Sequence, residues 1–411
     1  MDTKETKKMT ALSKMAFSKA TVEINSAEDA VNFLKNDLVT RSVRSIIEKF
    51  TNGRDMKTIQ KVLVNGLLEN HVDMKKDSVE RRVSGWLNPK SVHTVKKKDA
   101  IEIAFILQLG IEEADEFVAL ISEEKLHWRN VDEIVYIYGL KNGLSYRECD
   151  DILNQLEIQD IVALVKDCKT VEEIGEDGYT EFVKKDVAQL TSVDELKLYL
   201  RENYEKLGYY HNTAYDIFME MIGKLESPSR MEENLHLFDG EDVMEKYTIR
   251  DIMEDFLYKG IVLDVKQKAV RAKKEAKKRL VPKEKQYTLD IIQKKIADSW
   301  PNEVSISKMK NRNMDVTRKT LILLFLATDG DYDDDGYDYD LTEEEVFEDI
   351  FERLNDMLFF CGYSALDPRN PFDWLIIYCI YVQDLFDIDP KMRSILEELF
   401  LNSDKDENED N

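Results

Sequence analysis

Proline and glycine are scarce in this chain of 411 residues, at 7 and 15. So few helix breakers, with little period-two alternation, predict an all-α protein. Cysteine is equally sparse. Cys149, Cys168, Cys361 and Cys379 stand too far apart for C-x-x-C metal or redox spacing and sit among apolar neighbours, which is the usage of reduced core thiols in a cytoplasmic protein. The five histidines show neither H-x-x-x-H nor H-E-x-x-H spacing, so no zinc site is expected. The longest apolar runs, 321–327 and 374–382, fall far below the ~18 residues that suggest a membrane span. No signal-peptide pattern opens the chain. G-x-x-x-x-G-K-[ST], G-x-G-x-x-G, G-x-S-x-G and HRD-type motifs are all missing, so neither an enzyme nor a cofactor is expected.

Positive charge is also in deficit: 58 Lys and Arg against 83 Asp and Glu leave a net charge of -25. That balance disfavours a polyanionic partner for the chain as a whole. The distribution is uneven, however. Between 35 and 100 there are 15 Lys or Arg against 8 Asp or Glu, a local excess of +7, so a basic head on an acidic body is permitted.

Apolar residues recur at three and four almost throughout, and the helix punctuation divides the chain. A disordered lead-in is expected at 1–25. A module at 26–156 begins at Ser26, an N-cap with Glu28 and Asp29 in the first turn. Its helices are predicted at 43–50, 56–68, 77–87 (opened by an Asp77 to Glu80 capping box), 99–109 (ended by Gly110 at C′), 112–122, 132–141 (stopped near Gly143) and 146–156. A helical middle region follows at 157–263, with helices at 192–207 and 214–225 and a weak strand at 258–265. Residues 264–285 read as a basic linker helix; from 266 to 285 they carry ten Lys or Arg against Glu275 and Glu284, with Pro282 as an interruption. A second module is expected at 286–401. There Asp315 is read as the cap of a helix at 316–327, Thr342 and Glu345 as a capping box with Leu341 and Val346 as staple, and Gly362 as the stop after a last turn. Asn370-Pro371 and Asp389-Pro390 each place a capping side chain before proline at the first helical position. An acidic tail at 402–411 is expected to be disordered.

The two modules read as degenerate copies of one pattern. Val83-Ser84-Gly85-Trp86-Leu87-Asn88, Lys97-Lys98-Asp99-Ala100-Ile101, Phe105, Leu126-His127-Trp128-Arg129-Asn130, Asp132 and Tyr136 answer to Ile306-Ser307-Lys308-Met309-Lys310-Asn311, Arg318-Lys319-Thr320-Leu321, Phe325, Leu366-Asp367-Pro368-Arg369-Asn370, Asp373 and Tyr378. Most of the length difference falls in the acidic loop 329–341.

Within 78–87, Val79, Val83, Trp86 and Leu87 fall on one helical face, while Ser78, Arg81, Arg82 and Gly85 fall on the other. Guanidinium groups held outward by an anchored helix match guanine O6 and N7 in a major groove, or bridge phosphates. This helix, followed by Lys90, the apolar helix at 100–109 and Gly110-Ile111-Glu112-Glu113-Ala114, resembles the third to fifth helices of the lambda-repressor-like, Xre/Cro type helix-turn-helix family. The likeness covers roughly 43–121. The segment Glu69-Asn70-His71-Val72-Asp73-Met74-Lys75-Lys76 departs from it, being longer than the family's second helix and turn and lacking glycine.

The resemblance implies a sequence-specific DNA-binding transcriptional regulator with double-stranded DNA as partner. Ser78, Arg81, Arg82 and Ser84 would face bases or phosphates, and Lys90, Lys96, Lys97 and Lys98 the backbone. In the second copy Lys308, Lys310 and Arg312, with Arg318 and Lys319, form a matching basic cluster against the single acid Asp315, so two linked heads would act as an intramolecular dimer. A protein partner for the acidic C-terminal module and homo-oligomer formation are further expectations. The competing reading is a protein-interaction scaffold or antitoxin-like inhibitor whose helix-turn-helix shape is only architecture.

Two other constellations are weaker. In the acidic loop, Asp331, Asp333, Asp335 and Gly336 follow a calcium-loop spacing, but position twelve is Thr342 and the glutamate arrives late at Glu343, so a solvated insertion or a patch for a basic partner is preferred. Arg129-Asn130 with Asp132, and Arg369-Asn370 with Asp373, read as helix N-caps rather than catalytic groups. The aromatics Tyr136, Tyr138, Trp374, Tyr378 and Tyr381 read as core.

Overall fold

The computed structural model describes residues 10–88, 95–158, 178–208, 210–226, 247–279, 287–328, 342–382 and 387–402. The protein is all-α. Among the described residues β pairing is limited to two isolated bridges, Glu124 with Tyr363 and Asn130 with Gly208. No helix among them is long and apolar enough to cross a membrane.

Helices α1 (Ala11–Ser18) and α2 (Ala27–Asn32) start on the side chains of Thr10 and Ser26, the latter with Glu28 and Asp29 in its first turn as predicted. The expected disordered lead-in is therefore helical from residue 11. Ala16, Phe17 and Ala20 are buried, and the Trp374 indole donates to the Ala16 carbonyl at 2.8 Å. Burial of an aromatic ring overrides the lysine-rich local composition that suggested disorder.

The described residues within 41–211, with 362–364, form one compact unit. It holds α3 (Val43–Lys49), α4 (Met56–Asn70), α5 (Lys76–Trp86), α6 (Lys97–Ile106), α7 (Ile111–Ser122), α8 (Val131–Asn142), α9 (Tyr146–Ile158), α10 (Gly178–Gln189) and α11 (Val193–Glu202). Leu63, Leu67, Val83, Ala104, Phe117 and Val135 lie at its centre with almost no exposure. Two of the expected helix signals shift. The predicted box at Asp77 to Glu80 falls inside α5, whose N-cap, Lys75, lies two residues before Asp77, with the amides of Ser78 and Val79 both donating to the Lys75 carbonyl. Gly110 does not end α6. Leu107 is the C-cap, Gln108 takes the left-handed conformation at φ 58°, and Gly110 is the N-cap of α7, its amide held by the Glu113 carboxylate. Gly143, at φ 72°, ends α8 as expected.

The described residues before 41 and after 211, apart from 362–364, form the other unit. With α1 and α2 it contains α12 (Asn212–Glu226), α13 (Ile249–Asp255), α14 (Lys259–Arg279), α15 (Ile291–Ser299), α16 (Glu303–Lys310), α17 (Arg318–Thr328), α18 (Glu343–Phe360), α19 (Pro371–Ile380) and α20 (Ile388–Glu397). Every residue of α19 is buried, which is why it is apolar on every face except at Asp373. Phe17 meets Phe347 and Phe351 edge-on at 5.8 and 5.6 Å, and Phe33 lies 5.1 Å from Trp374. The box of Thr342 with Glu345, the left-handed Gly362 and the Asn370-Pro371 start all form as predicted. Leu341, the staple partner, lies outside the described residues.

Three expectations here need correction. The predicted strand at 258–265 is the start of α14, because Ile261, Val262 and Val265 share one buried helical face. Thr317 replaces Asp315 as the cap of α17: its hydroxyl accepts the Thr320 amide and its carbonyl the Leu321 amide. Asp389 does not cap α20. Its carboxylate accepts from the Tyr258 hydroxyl at 2.7 Å, and Asp387 occupies the N-cap position. The residues expected as a helical middle region contribute to both units. Val183, Val187, Leu196 and Leu200 belong to the core of the first unit, while Phe218, Ile222 and Met253 are buried in the second. The acidic loop 329–341, the tail beyond 402, Cys168, Pro282 and Lys90 lie outside the described residues.

Candidate functional site

Helix α5 is anchored by Val79, Val83 and Trp86, which its pattern at i, i+4 and i+7 turns inward. Ser78, Arg81 and Ser84 are exposed along the opposite face. Arg81 makes one local bond, from Nε to the Asp77 carbonyl of its own helix at 3.1 Å, and the rest of its guanidinium faces outward. Arg82 is held differently. It bonds the Asp99 carboxylate at 2.6 Å while its guanidinium lies 4.8 Å from the centre of the Trp86 ring, so it ties the first turn of α6 to α5. The expected pair Arg81 and Arg82 is thus divided into one outward group and one strut.

The lysines at the start of α6 divide in the same way. Lys96 and Lys98 are exposed. Lys97, with only 13 % of its side chain accessible, bridges Glu133 at 2.9 Å and Glu124 at 3.5 Å. Both α5 and α6 carry a lysine at the N-cap, Lys75 and Lys96, and neither makes a side-chain cap bond. By contrast α1, α2, α3, α4 and α8 are capped by Thr10, Ser26, Ser42, Asp55 and Asn130. A helix start without a capping oxygen leaves amide N–H groups open to an external anion, while Asp77 and Asp99 in the two first turns oppose the positive dipole ends.

The second basic cluster is mostly internal. Lys310 pairs with Glu226, and its carbonyl accepts the Tyr215 hydroxyl. Arg312 bonds the Asn212 amide oxygen at 2.6 Å and lies 4.1 Å from the centre of the Tyr215 ring. Arg318 is buried, with both terminal nitrogens 2.8 Å from the two oxygens of Asp373. Lys319 rests beside the Phe372 ring, which leaves Lys308 as the exposed member.

The segments entering α8 and α19 carry the same bonds. The Leu126 amide donates to Asp115, and the Leu366 amide to Asn355, both at 2.8 Å and both eleven residues back. The His127 amide donates to Glu133 at 2.6 Å and the Asp367 amide to Asp373 at 2.9 Å, both six residues ahead. Asn130 and Asn370 are the N-caps, as expected. The carboxylates are then neutralised by Lys97 and Arg318 respectively. Equal spacing therefore sets Glu133, not Asp132, against Asp373, and Tyr138, not Tyr136, against Tyr378. The expected correspondence paired Asp132 with Asp373 because it matched aspartate to aspartate, whereas the bonded positions share a six-residue step.

In the first unit the His127 ring also stacks on His211 at 4.0 Å, with Tyr363 5.2 Å from His211. Burial foremost, then the charges of His211, Lys97 and Arg129, holds the His127 imidazole well below its usual pKa. Burial raises the Glu133 carboxyl, and Lys97 opposes that rise. Cys149, Cys361 and Cys379 are buried free thiols whose pKa burial pushes up to about 12, as for inert core cysteines. Among the described residues no group of three or more His, Cys, Asp or Glu is placed to hold a metal ion. No family model, curated protein or solved structure matches the chain.

Proposed function

We propose that the chain is a cytoplasmic, sequence-specific DNA-binding regulator of transcription, of the lambda-repressor-like helix-turn-helix kind, which reads double-stranded DNA through α5. Ser78, Arg81 and Ser84 are the groups offered to base edges or phosphates, and Lys96 and Lys98 those offered to the backbone. Arg82, Lys97, Lys310 and Arg312 are assigned to the fold, since each is held by side chains of its own unit. The observation that carries this reading is the pair of lysine-flanked, uncapped helix starts at α5 and α6 beside an outward Arg81. The matching bonds at α8 and α19 favour descent of the two modules from one ancestral pattern, with the second now serving architecture.

Selection from a randomised duplex pool tests the proposal. The wild-type chain enriches one sequence class, and Arg81→Gln relaxes that enrichment, because a bidentate arginine contact discriminates by about 1–3 kcal/mol. A wild-type chain that enriches nothing sinks it. The second reading, a protein-interaction scaffold, is favoured by Phe359 and Phe360, adjacent aromatic residues that leave 62 % and 65 % of their surface in solvent at the end of α18.

A further inference from the structure

Helix α14 is the other concentration of positive charge, and it is divided lengthwise by chemistry. Ile261, Val262 and Val265, and three turns later Ala276, are buried on one face. Lys266 reaches the Asp298 carboxylate at 2.7 Å and the Ala297 carbonyl at 3.1 Å, which fastens the helix to α15. Lys268 lies 5.0 Å from the centre of the Tyr287 ring. Beyond that point Lys273, Lys274, Lys277, Lys278 and Arg279 are all exposed, against the single acid Glu275, and none of the five forms an ion pair among the described residues.

The favourable C-terminal dipole accounts for cations in the last turn, Lys277, Lys278 and Arg279, but not for Lys273 and Lys274 one turn earlier. Lys273 with Lys277 and Lys274 with Lys278 are like-charge pairs at i, i+4, each of which destabilises an isolated helix by about 0.2–0.5 kcal/mol. The chain has a net charge of -25 and carboxylates are abundant in it, yet none of the four lysines forms an ion pair among the described residues. A membrane surface is the poorer partner, because an interfacial helix needs an apolar face for the acyl chains and the one on α14 is turned into the protein. Two rows of ammonium groups spread over about 9 Å of helix axis, at ~1.5 Å per residue, instead suit the walls of a duplex groove about 12 Å wide.

We propose that the exposed C-terminal half of α14 binds the phosphate backbone of duplex nucleic acid, independently of sequence, through Lys273, Lys274, Lys277, Lys278 and Arg279. For the identity of its partner this rests on the duplex-binding reading of α5, but it asks nothing of Arg81. The test uses the full chain and a duplex of random sequence, with affinity measured across a salt series. Replacing the four lysines by glutamine (K273Q, K274Q, K277Q, K278Q) makes the slope of log affinity against log salt shallower by about 3–4, at about 0.9 per phosphate contact. The K273R, K274R, K277R, K278R variant keeps the wild-type slope, and circular dichroism with urea midpoints establishes that both variants are folded.

An unchanged slope in the folded glutamine variant overturns the proposal, as does a wild-type chain that binds vesicles of phosphatidylserine or poly-glutamate but no duplex. A slope lost in the glutamine variant while Arg81→Gln leaves sequence discrimination unchanged supports α14 and removes α5. The reverse pattern removes α14 alone.

Discussion

Arg82 and Asp99 join α5 to the first turn of α6 across 2.6 Å, with the Trp86 ring beneath the guanidinium. This pair removes from the proposed DNA-facing set one of the two arginines that the helical pattern offers, and the proposal then rests on Arg81. About a quarter of each side chain is accessible, so the pair is worth about 1 kcal/mol, ring contact included. Arg82→Gln is expected to lower the unfolding free energy by that amount in urea titrations and to leave sequence discrimination intact. A variant of unchanged stability that no longer discriminates between duplexes would reverse the two roles.

Arg318 and Asp373 are almost inaccessible, and Asp373 also holds the Asp367 amide. Arg318→Met strands a buried carboxylate and should cost about 3–5 kcal/mol in urea unfolding. Lys97→Met strands Glu133, which retains 12 % accessibility, and should cost less. Equal and small losses at the two positions would contradict the structural role assigned to these pairs.

Gly139 allows α8 and α9 to touch. A methyl group there would stand 2.2 Å from the Cys149 sulfur and 3.3 Å from the Phe105 ring. Gly139→Ala is therefore expected to lower the thermal midpoint, by about 1–3 kcal/mol of overpacking. Adding Cys149→Ala should recover part of the loss. Absence of recovery would place the conflict elsewhere.

His127 makes stability depend on pH. Its folded pKa lies below the usual 6.5, so the unfolded chain takes up the proton first as pH falls, and stability complete above about 6.5 is lost below it. Glu133, raised by burial, works the other way in acid, because protonation relieves its desolvation. Urea midpoints at pH 7.5 and 5.5 should differ in the wild type and differ less in His127→Phe. Equal differences in both would show that another group titrates.

Much of the fold was legible because short-range chemistry governed it. Ser26, Thr342 with Glu345, Asn370-Pro371 and Gly143 each act within one turn of where they stand. Errors arose where distant contacts decided. Phe17 orders a lysine-rich start through α18, Val262 and Val265 become helical because one face is buried, and Asp389 leaves its cap for the Tyr258 hydroxyl. The site was half legible for the same reason. Helical spacing placed Arg81 and Arg82 together on the polar face, but only the fold of α6 against α5 brings Asp99 to Arg82 and Glu133 to Lys97.

The most direct test is fluorescence anisotropy on the duplex enriched by the wild-type chain, titrated with wild type, Arg81→Gln and Arg82→Gln in one buffer of fixed salt. The account predicts a loss of about 10-fold or more for Arg81→Gln, corresponding to at least about 1.4 kcal/mol of a base contact, and near wild-type affinity for Arg82→Gln at temperatures where it is folded. Equal affinities for wild type and Arg81→Gln would contradict it.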